Sequence, residues 1–232
     1  MKAIILSGGR GLRLRPLTAN QPKPLVRVNG RPISEYQIEW LTKGTGISGV
    51  IFACGYKWEK LKKHYGSRYN GVSVRYSVEE EPLGTGGALK KAFSLLGEAK
   101  TVVATNGDII TDLQLKPMIR AHRRSGAVVT MLVVPYRSRF GVVHIDENGA
   151  VKMFEEKPVF PSIWINGGVY VMDVQRVAPL LPERGDVERD TFPRLVSRGE
   201  IMSYRHDGRW WYIDSVKDLK EVESELSAQL SP

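Results

Sequence analysis

The first half of the chain alternates short apolar runs with amphipathic stretches, and this alternation restricts the fold more than any other feature. The apolar runs predict strands, most of them buried, and the amphipathic stretches predict helices. The predicted strands cover residues 3–7, 50–54, 72–78 and 101–106, and the predicted helices cover 32–43, 57–65, 86–96 and 115–125. Strands that alternate with helices form a mostly parallel sheet with helices on both faces. The fold class predicted for residues 1–126 is therefore α/β.

The pattern changes after residue 126. Strands are predicted there with little helix between them, at 127–134, 140–146, 149–156 and 165–173. The residues DENG at 146–149 are typical of a hairpin turn, and Ser215 is placed to cap an amphipathic helix over 216–230. Because we find no linker, repeat or low-complexity segment, we predict one domain over residues 1–232. Its sheet is expected to be mixed, mostly parallel, with added antiparallel strands over the mouth of a cleft.

Composition narrows the classes of partner. The net charge is +9, from 34 basic and 25 acidic residues, and favours anionic partners such as nucleic acid, anionic lipid or phosphorylated small molecules. The basic residues form no long tail. The single cysteine, Cys54, excludes an intrachain disulfide and a cysteine cluster for zinc. No apolar run approaches the roughly 20 residues that span a bilayer. We therefore expect a cytoplasmic protein without a membrane partner.

A glycine-rich, arginine-rich loop, SGGRGLRLRPLT at 7–18, follows the first predicted strand. It lacks the Lys-Ser or Lys-Thr of a P-loop, and Leu14 stands where a dinucleotide fingerprint needs its third glycine. Successive glycines nevertheless let backbone N–H groups approach an anion, and arginine adds a planar fork for phosphate oxygens. On these residues alone, a phosphate site and a strand-to-helix turn with solvent-facing arginines both remain open.

Six spaced motifs resemble those of the sugar-1-phosphate nucleotidylyltransferases, most closely the mannose-1-phosphate and heptose-1-phosphate guanylyltransferases. The motifs are GGRGLRLRPLT, PKPLVRVNGRPI, EEEPLGTGGAL, NGD, FGVV with FEEKP, and NGGVYV, at 8–18, 22–33, 79–89, 106–108, 140–158 and 166–171. The resemblance covers nearly the whole chain in the family's order. It implies a Rossmann-like three-layer α/β/α fold of nucleotide-diphospho-sugar transferases. Its parts are a nucleotide-binding half (1–126), a sugar-phosphate half (127–215) and a C-terminal helix (216–230).

The resemblance also implies a reaction and a set of site residues. A phosphate oxygen of the sugar-1-phosphate attacks the α-phosphorus of a nucleoside triphosphate and releases pyrophosphate, which leaves mainly positioning and charge neutralisation to the protein. Arg13 is assigned to the departing pyrophosphate and Lys23 to the α-phosphate, with Asp108 as the third catalytic residue. Nucleotide binding is assigned to Leu6, Gly8, Gly9, Gly11, Glu79, Glu80, Gly84 and Thr85. Sugar-phosphate binding is assigned to Gly141, Glu156, Lys157, Asn166 and Gly168.

Mg²⁺ is the implied cofactor, because it takes one or two carboxylates and completes its shell with substrate phosphates. Asp108 of NGD is the first ligand by resemblance. The second is less direct, because the family pattern Trp-x-Asp-Ile-Gly appears here as WWYIDS. Aligned without a gap, Tyr212 takes the place of the aspartate, and Asp214 is the best carboxylate nearby. A cap for the last helix is the competing interpretation of Asp214.

The nucleobase and the sugar are predicted from the same comparison. Guanine presents two adjacent donors, which a carboxylate can accept together, whereas an amide suits uracil or thymine better. The chain has Glu79, Glu80 and Glu81 where uridylyl and thymidylyl relatives often carry glutamine. GTP is therefore favoured, with mannose-1-phosphate as the sugar substrate and GDP-mannose as the product.

Three alternatives remain open. One is the same reaction with UTP or dTTP and glucose-1-phosphate. Another is nucleotidyl transfer to a non-sugar phosphate, against which FEEKP and NGGVYV argue. A third is a catalytically silent regulatory or binding subunit with the same fold, which the altered WWYIDS motif keeps open. Nucleic-acid binding is disfavoured, because no recognition motif accompanies the charge. A homo-oligomer is compatible with the sequence.

Overall fold

The computed structural model describes residues 1–228, over which the chain forms fourteen strands and seven α-helices. The strands are β1 (Lys2–Ser7), β2 (Arg27–Val28), β3 (Arg31–Pro32), β4 (Gly49–Cys54), β5 (Arg68–Tyr69), β6 (Val72–Val78), β7 (Thr101–Asn106), β8 (Ile109–Thr111), β9 (Val129–Arg137), β10 (Val142–Ile145), β11 (Val151–Glu155), β12 (Val159–Asp173), β13 (Ile201–Arg205) and β14 (Trp210–Tyr212). The helices are α1 (Ile33–Thr42), α2 (Trp58–Tyr65), α3 (Gly84–Phe93), α4 (Leu115–Ser125), α5 (Val174–Val177), α6 (Phe192–Ser197) and α7 (Val216–Ser227).

Eight strands form the main sheet, in the order β13-β9-β12-β7-β1-β4-β6-β5. Strands β7, β1, β4 and β6 are parallel, as are β13 and β9. Strand β12 runs antiparallel to both of its neighbours, and β5 runs antiparallel to β6. The mixed, mostly parallel α/β fold is therefore confirmed. Strands β9 and β12 extend the main sheet because β12 pairs along both of its edges, while β10 and β11 form a separate hairpin.

Alternate residues of the inner strands pack on opposite faces of the sheet. Ile5 and Phe52 pack with α1, α2 and α4 on one face. Ile4 and Ile51 pack with α3 and α6 on the other. Because both faces are covered, β1 and β4 are buried along nearly their whole length, which explains their continuous apolar sequence. The result is the three-layer arrangement that the sequence predicts.

A third apolar cluster joins α7 to the segment between the glycine loop and α1. Val26 and Ile33 pack there against Ile213, Leu219 and Val222. The cluster brings residues from both ends of the chain to one place. It is the part of the core that positions the candidate active site.

Most predicted elements are present, with boundaries moved by a few residues. The helix predicted over 86–96 begins at Gly84, and the strand predicted over 165–173 begins at Val159. The hairpin at 146–149 and the Ser215 cap of α7 are confirmed. The final helix is described to Ser227, and residues 229–230 of its predicted range lie outside the described residues.

The sequence analysis assigned no element to residues 174–215, where the structure has α5, α6, β13 and β14. These elements are short, so their sequences show too little periodicity to predict them. Cys54 is buried, as predicted. Within residues 1–228, none of the helices is both long and apolar enough to cross a membrane.

Candidate active site

Three predicted site segments begin at one edge of the main sheet. The glycine loop follows β1, Glu79 follows β6, and the NGD turn at 106–108 follows β7. These strands are parallel, so their carboxyl ends lie together, where ligands bind in open α/β sheets. The backbone N–H of Gly107 donates to the carbonyl oxygen of Leu6 at 2.8 Å. The end of β1 and the NGD turn are therefore direct neighbours.

The three predicted glycines of the glycine loop differ in backbone φ and in the space available for a Cβ atom. Gly11 has a left-handed φ of 59°, and its carbonyl oxygen accepts a hydrogen bond from Thr18 Oγ1 at 2.7 Å. At Gly8, a Cβ atom would lie 2.9 Å from Glu79 Oε1. At Gly9, a Cβ atom would have no neighbour within 4 Å. Contacts within the chain thus favour glycine at Gly8 and Gly11, whereas the backbone at Gly9 faces open space.

Lys23 lies between two carboxylates that are distant in sequence. Its Nζ atom is 2.8 Å from Asp108 Oδ2 and 3.1 Å from Asp214 Oδ1. Pro22 precedes the short 3₁₀ turn that begins at Lys23, and the following Pro24 is buried. The flanking prolines restrict the backbone, so the ammonium group is held in one direction.

The charges of this centre shift the pKa values of its members. Burial lowers the pKa of Lys23, but the two carboxylates outweigh burial and hold this pKa above its ordinary value. Burial raises the pKa of Asp108 against the attraction of Lys23, and the like charge of Asp214 raises it further. Burial is the largest cause at both residues: the two carboxylates overcome it at Lys23, whereas at Asp108 it outweighs the attraction of the one opposite charge.

The structure brings Asp214, and not only Asp108, to Lys23. The backbone N–H of Ile213 donates to the carbonyl oxygen of Asp108 at 2.9 Å, which aligns the two segments. The cap of α7 is Ser215, in a reciprocal capping box with Asp218. The Asp214 carboxylate is therefore free of the capping role that the sequence left open.

Tyr212 occupies a different place from Asp214. It pairs with Ile109 in the β14–β8 ladder, and Lys23 Nζ lies 5.4 Å from the centroid of its ring. This distance is within the range of a cation–π contact. The ring of Tyr212 thus lies beneath the Lys23 ammonium group, while Asp214 supplies the second carboxylate.

Arg13 reaches the same centre from solvent. Its side chain is 70% exposed, and its Nη2 atom lies 2.6 Å from Asp214 Oδ2. The contact is an ion pair without hydrogen-bond geometry, so within residues 1–228 Asp214 Oδ2 accepts no hydrogen bond. Arg13 is therefore close to the carboxylates, yet most of its guanidinium surface is open to a ligand.

Two carboxylates at this point fit a hard divalent cation. Asp108 Oδ1 is buried and has no hydrogen-bond partner among the described residues. No cluster of three or more His, Cys, Asp or Glu side chains occurs within residues 1–228. A pair of carboxylates without a full protein cage suits Mg²⁺, which keeps positions for substrate phosphates and water.

Glu79 and Glu80, which are both predicted to bind the nucleobase, differ in burial and in their contacts. Glu79 is partly buried, and its Oε2 atom accepts a hydrogen bond from the backbone N–H of Leu83 at 3.1 Å. Glu80 is exposed. The carboxylate of Glu79 lies beside Gly8, whereas Glu81 pairs with Arg184. Of the three glutamates, Glu79 is therefore the one that the structure places against the glycine loop.

Gly84 and Thr85 make close contacts within the chain. Gly84 has a φ of 74°, and a Cβ atom there would clash with the carbonyl oxygen of Gly185. Thr85 Oγ1 donates to Glu188 Oε2 at 2.6 Å. These contacts explain both residue types without a ligand. Their assignment to the nucleobase stays a prediction.

On the sugar side, Asn166 and Gly168 lie beside the NGD turn. A Cβ atom on Gly168 would lie 2.7 Å from Asn106 Nδ2. Asn166 Oδ1 accepts a hydrogen bond from the backbone N–H of Gly168 at 2.9 Å. Since β12 pairs with β7, which leads into NGD, this part of the predicted sugar site lies next to the Lys23 centre.

The other three sugar residues lie on and beside the exposed hairpin. A Cβ atom on Gly141 would lie 3.1 Å from Glu156 Oε2, so these two residues are neighbours. Lys157 Nζ is 3.0 Å from Glu221 Oε1 on α7. Across residues 1–228, no hydrogen bond or ion pair joins Glu156 or Lys157 to Lys23 or its carboxylates. Their role in sugar binding stays a prediction.

The sequence analysis missed two residues that organise the site. Gln37 is buried, and its Nε2 atom donates to the carbonyl oxygens of Asn106 and Ile109 at 2.7 and 3.0 Å, which holds the NGD turn. The sequence feature that could have pointed to Gln37 is a polar residue beside the apolar Ile38 of α1. Glu188 contacts both halves of the chain, and no periodicity in its segment points to it.

The site combines an open glycine loop with lysine and arginine beside paired carboxylates, at the edge of the sheet where phosphorylated ligands bind. These features define a class of protein that transfers phosphate-containing groups. The sequence matches the nucleotidyl transferase family over residues 2–229, and the chain belongs to this family. Enzymes of this family generally use a divalent metal ion.

Three similar proteins extend the comparison. The mannose-1-phosphate guanyltransferase of Debaryomyces hansenii is 37% identical over 228 residues, which cover 94% of this chain and 62% of that protein. The D-glycero-alpha-D-manno-heptose 1-phosphate guanylyltransferase of Aneurinibacillus thermoaerophilus is 35% identical over 229 residues, which cover 97% of this chain and 98% of that protein. The crystal structure of HddC from Yersinia pseudotuberculosis superposes with a TM-score of 0.75 at 25% identity and covers 97% and 99% of the two chains. The chain thus spans less than two thirds of the mannose-1-phosphate relative and nearly all of the heptose relative.

Proposed function

We propose that the protein transfers the guanylyl group of GTP to a sugar-1-phosphate, with formation of a GDP-sugar and release of pyrophosphate. The observation that carries this proposal is the position of Lys23 between Asp108 and Asp214 at the end of the glycine loop. The names of the similar guanylyltransferases support guanine as the base. Mannose-1-phosphate is the first sugar substrate to test.

In this reaction Lys23 neutralises charge at the α-phosphate and Arg13 neutralises charge on the departing pyrophosphate. Asp108 and Asp214 hold Mg²⁺, which supplies charge neutralisation at the phosphates when it is bound. The triphosphate binds to the backbone of the glycine loop, at Leu6, Gly8, Gly9 and Gly11. Glu79, with Glu80 beside it, accepts the two donors of guanine, and Gly84 and Thr85 border the base.

The sugar phosphate lies between two groups of residues. Asn166 and Gly168 approach the ring from β12, close to NGD. Gly141 and Glu156 approach it from the hairpin, where Glu156 accepts sugar hydroxyls and Lys157 binds the phosphate. We treat residues 1–232 as one domain, because the main sheet takes strands from both halves.

A heptose-1-phosphate is the second candidate substrate. The relative named for that activity matches this chain over 98% of its own length, whereas the mannose-1-phosphate relative matches over 62%. The two candidates share the reaction, the base and the phosphate site. They differ only in the contacts made by the sugar ring.

The test is pyrophosphate release by the purified protein with Mg²⁺ and mannose-1-phosphate, with GTP, UTP, dTTP, CTP and ATP supplied separately. Turnover is expected with GTP. It should be lost in Asp108→Asn and in Asp214→Asn, and on removal of Mg²⁺ by a chelator. The exposed Asp207 provides the matched control, since among the described residues its carboxylate forms no hydrogen bond or ion pair with Lys23, Asp108 or Asp214.

The outcomes separate the alternatives. Turnover with UTP or dTTP alone keeps the reaction and contradicts the assignment of Glu79 to guanine. Turnover with a heptose-1-phosphate but not with mannose-1-phosphate selects the second substrate. No turnover with any pair, in a folded protein, favours a silent subunit. Full activity of Asp214→Asn contradicts the metal role of Asp214.

A further inference from the structure

Glu188 is a carboxylate in contact with both halves of the protein. It lies in a π-helical turn, Val187–Thr191, which leads into α6. Such turns are rare and often occur at functional sites. Each oxygen of its carboxylate faces a hydroxyl group from a different half.

The first contact reaches the start of α3. Thr85 Oγ1 donates to Glu188 Oε2 at 2.6 Å and accepts a hydrogen bond from the backbone N–H of Val187 at 3.0 Å. The carbonyl oxygen of Gly185 accepts a hydrogen bond from the backbone N–H of Gly86 at 2.9 Å. The segment around Glu188 therefore sets the position of residues 84–86.

The second contact reaches β12. Tyr170 is fully buried, and its hydroxyl lies 3.5 Å from Glu188 Oε1. Asn166 Nδ2 donates to the Tyr170 hydroxyl at 2.7 Å, so the phenolic proton is available for Glu188. Asn166 in turn accepts a hydrogen bond from the backbone N–H of Gly168 at 2.9 Å. A continuous series of contacts thus runs from Glu188 to the turn at Asn166–Gly168.

We propose that Glu188 is a positioning residue that couples the nucleotide side of the site to the sugar side. This inference rests on the proposed function, which assigns Thr85 and Asn166 to the two substrates. The contacts from Glu188 to Thr85 and those from Glu188 through Tyr170 to Asn166 share one carboxylate. A ligand that orders one set of contacts therefore also orders the other. Each substrate therefore binds more tightly when its partner is bound, and the effect is reciprocal.

The experiment measures coupling separately from affinity. Calorimetry with Mg²⁺ gives the Kd of a GTP analogue whose α and β phosphates are joined by a methylene group, which prevents turnover. The titration is repeated at saturating sugar-1-phosphate, with the sugar that supports turnover. For the wild type we expect a tightening of about fivefold or more.

Glu188→Gln keeps the shape of the side chain but replaces one acceptor oxygen by a donor, which then faces a hydroxyl donor. We expect the tightening to fall towards onefold, with each separate Kd changed much less. Tyr170→Phe removes only the hydroxyl that lies between Glu188 and Asn166, and it should give the same loss of coupling. The double variant should lose no more than either single variant, because both changes break one connection.

Glu183→Gln is the matched control, since Glu183 lies in the same segment with an exposed side chain that pairs with Lys90. It should keep the wild-type coupling. Coupling retained in both Glu188→Gln and Tyr170→Phe overturns the proposal. Wild-type protein that turns over but binds its two ligands independently also overturns it, and leaves the proposed function intact. Wild-type protein that binds neither ligand and shows no turnover overturns the proposed function and this inference with it.

Discussion

The Lys23 centre and the β10–β11 hairpin, both of which adjoin predicted site residues, lie under different physical conditions. Lys23 and its two carboxylates are largely buried, and the flanking segments pack in the third apolar cluster. The hairpin is a separate two-stranded sheet, and all residues of β11 are exposed. Two strands alone are marginally stable in water. The Lys23 centre is therefore held by the core, whereas the hairpin is held by few contacts.

The largest expected effect comes from the buried centre. Lys23→Met removes the only ammonium group described between Asp108 and Asp214, and with it the charge that we propose neutralises the α-phosphate. We expect turnover to fall by roughly 10²–10³-fold. Pyrophosphate release measures it, with Lys60→Met on the exposed side of α2 as the control. Equal activity in the two variants would show that Lys23 takes no part in the reaction.

A pair of phenylalanines compares the packing of the two regions directly. Phe52 in β4 is fully buried, whereas Phe154 in β11 is 62% exposed. We expect Phe52→Ala to lower the free energy of unfolding by about 3–5 kcal/mol. Phe154→Ala should lower it by less than about 1 kcal/mol. Urea unfolding of both variants provides the measurement. A similar large loss for both would mean that the hairpin is packed as tightly as the core.

Lys157 tests whether the hairpin side binds the sugar phosphate. Its ion pair with Glu221 is partly exposed, so Lys157→Met should change stability by no more than about 1 kcal/mol. Loss of a charged hydrogen bond to the phosphate should raise the KM for sugar-1-phosphate by about tenfold or more, with a smaller effect on kcat. Lys152→Met, which breaks the exposed pair with Asp146 in the same hairpin, is the control. An unchanged KM in Lys157→Met removes Lys157 from the site.

The smallest effect is the pH dependence of stability that His122 contributes. Burial lowers the pKa of His122 on α4, where Nδ1 lies 2.9 Å from Thr130 Oγ1. The unfolded chain, with a histidine pKa near 6.5, then binds the proton more strongly than the folded one. Stability from this group is present above about pH 6.5 and is lost as pH falls through the lowered pKa, with a slope of at most about 1.4 kcal/mol per pH unit.

Urea unfolding between pH 8 and pH 5 measures this slope. The wild type should lose more stability than His122→Gln over that range, because glutamine does not titrate. Identical slopes for the two proteins would mean that His122 is accessible to protons in the folded state.

The elements that the sequence predicts well are those with a local cause. Three of the four strands predicted in the first half, β1, β4 and β7, were predicted because each is largely buried and mostly apolar. The Ser215 cap was predicted because a capping box involves residues only three apart. Helix α3 was predicted two residues late, because Gly84 at its start has low helix propensity. The backbone N–H groups of Gly86 and Gly87 donate to the carbonyl oxygen of Gly185, which stabilises this first turn, and the sequence does not show these contacts.

The candidate site likewise contains some residues that the sequence predicts and others that only the structure identifies. Lys23, Asp108 and the glycine loop were found through motifs that are short and continuous. Asp214 and Tyr212 could not be separated by sequence, because both follow the same tryptophan pair. The ladder between β14 and β8 decided between them, since it turns Tyr212 beneath Lys23 and brings Asp214 to its ammonium group.

By itself, the sequence determined the alternation of strands and helices, the place of the glycine loop after the first strand, and the family. Each of these depends on residues close together in the chain, whose periodicity or spacing is visible without coordinates. Only the tertiary structure decided that Asp214 joins Lys23, that Gln37 holds the NGD turn, and that Glu188 contacts both halves of the chain. Those contacts join residues that are far apart in sequence, and burial in the folded core makes them specific.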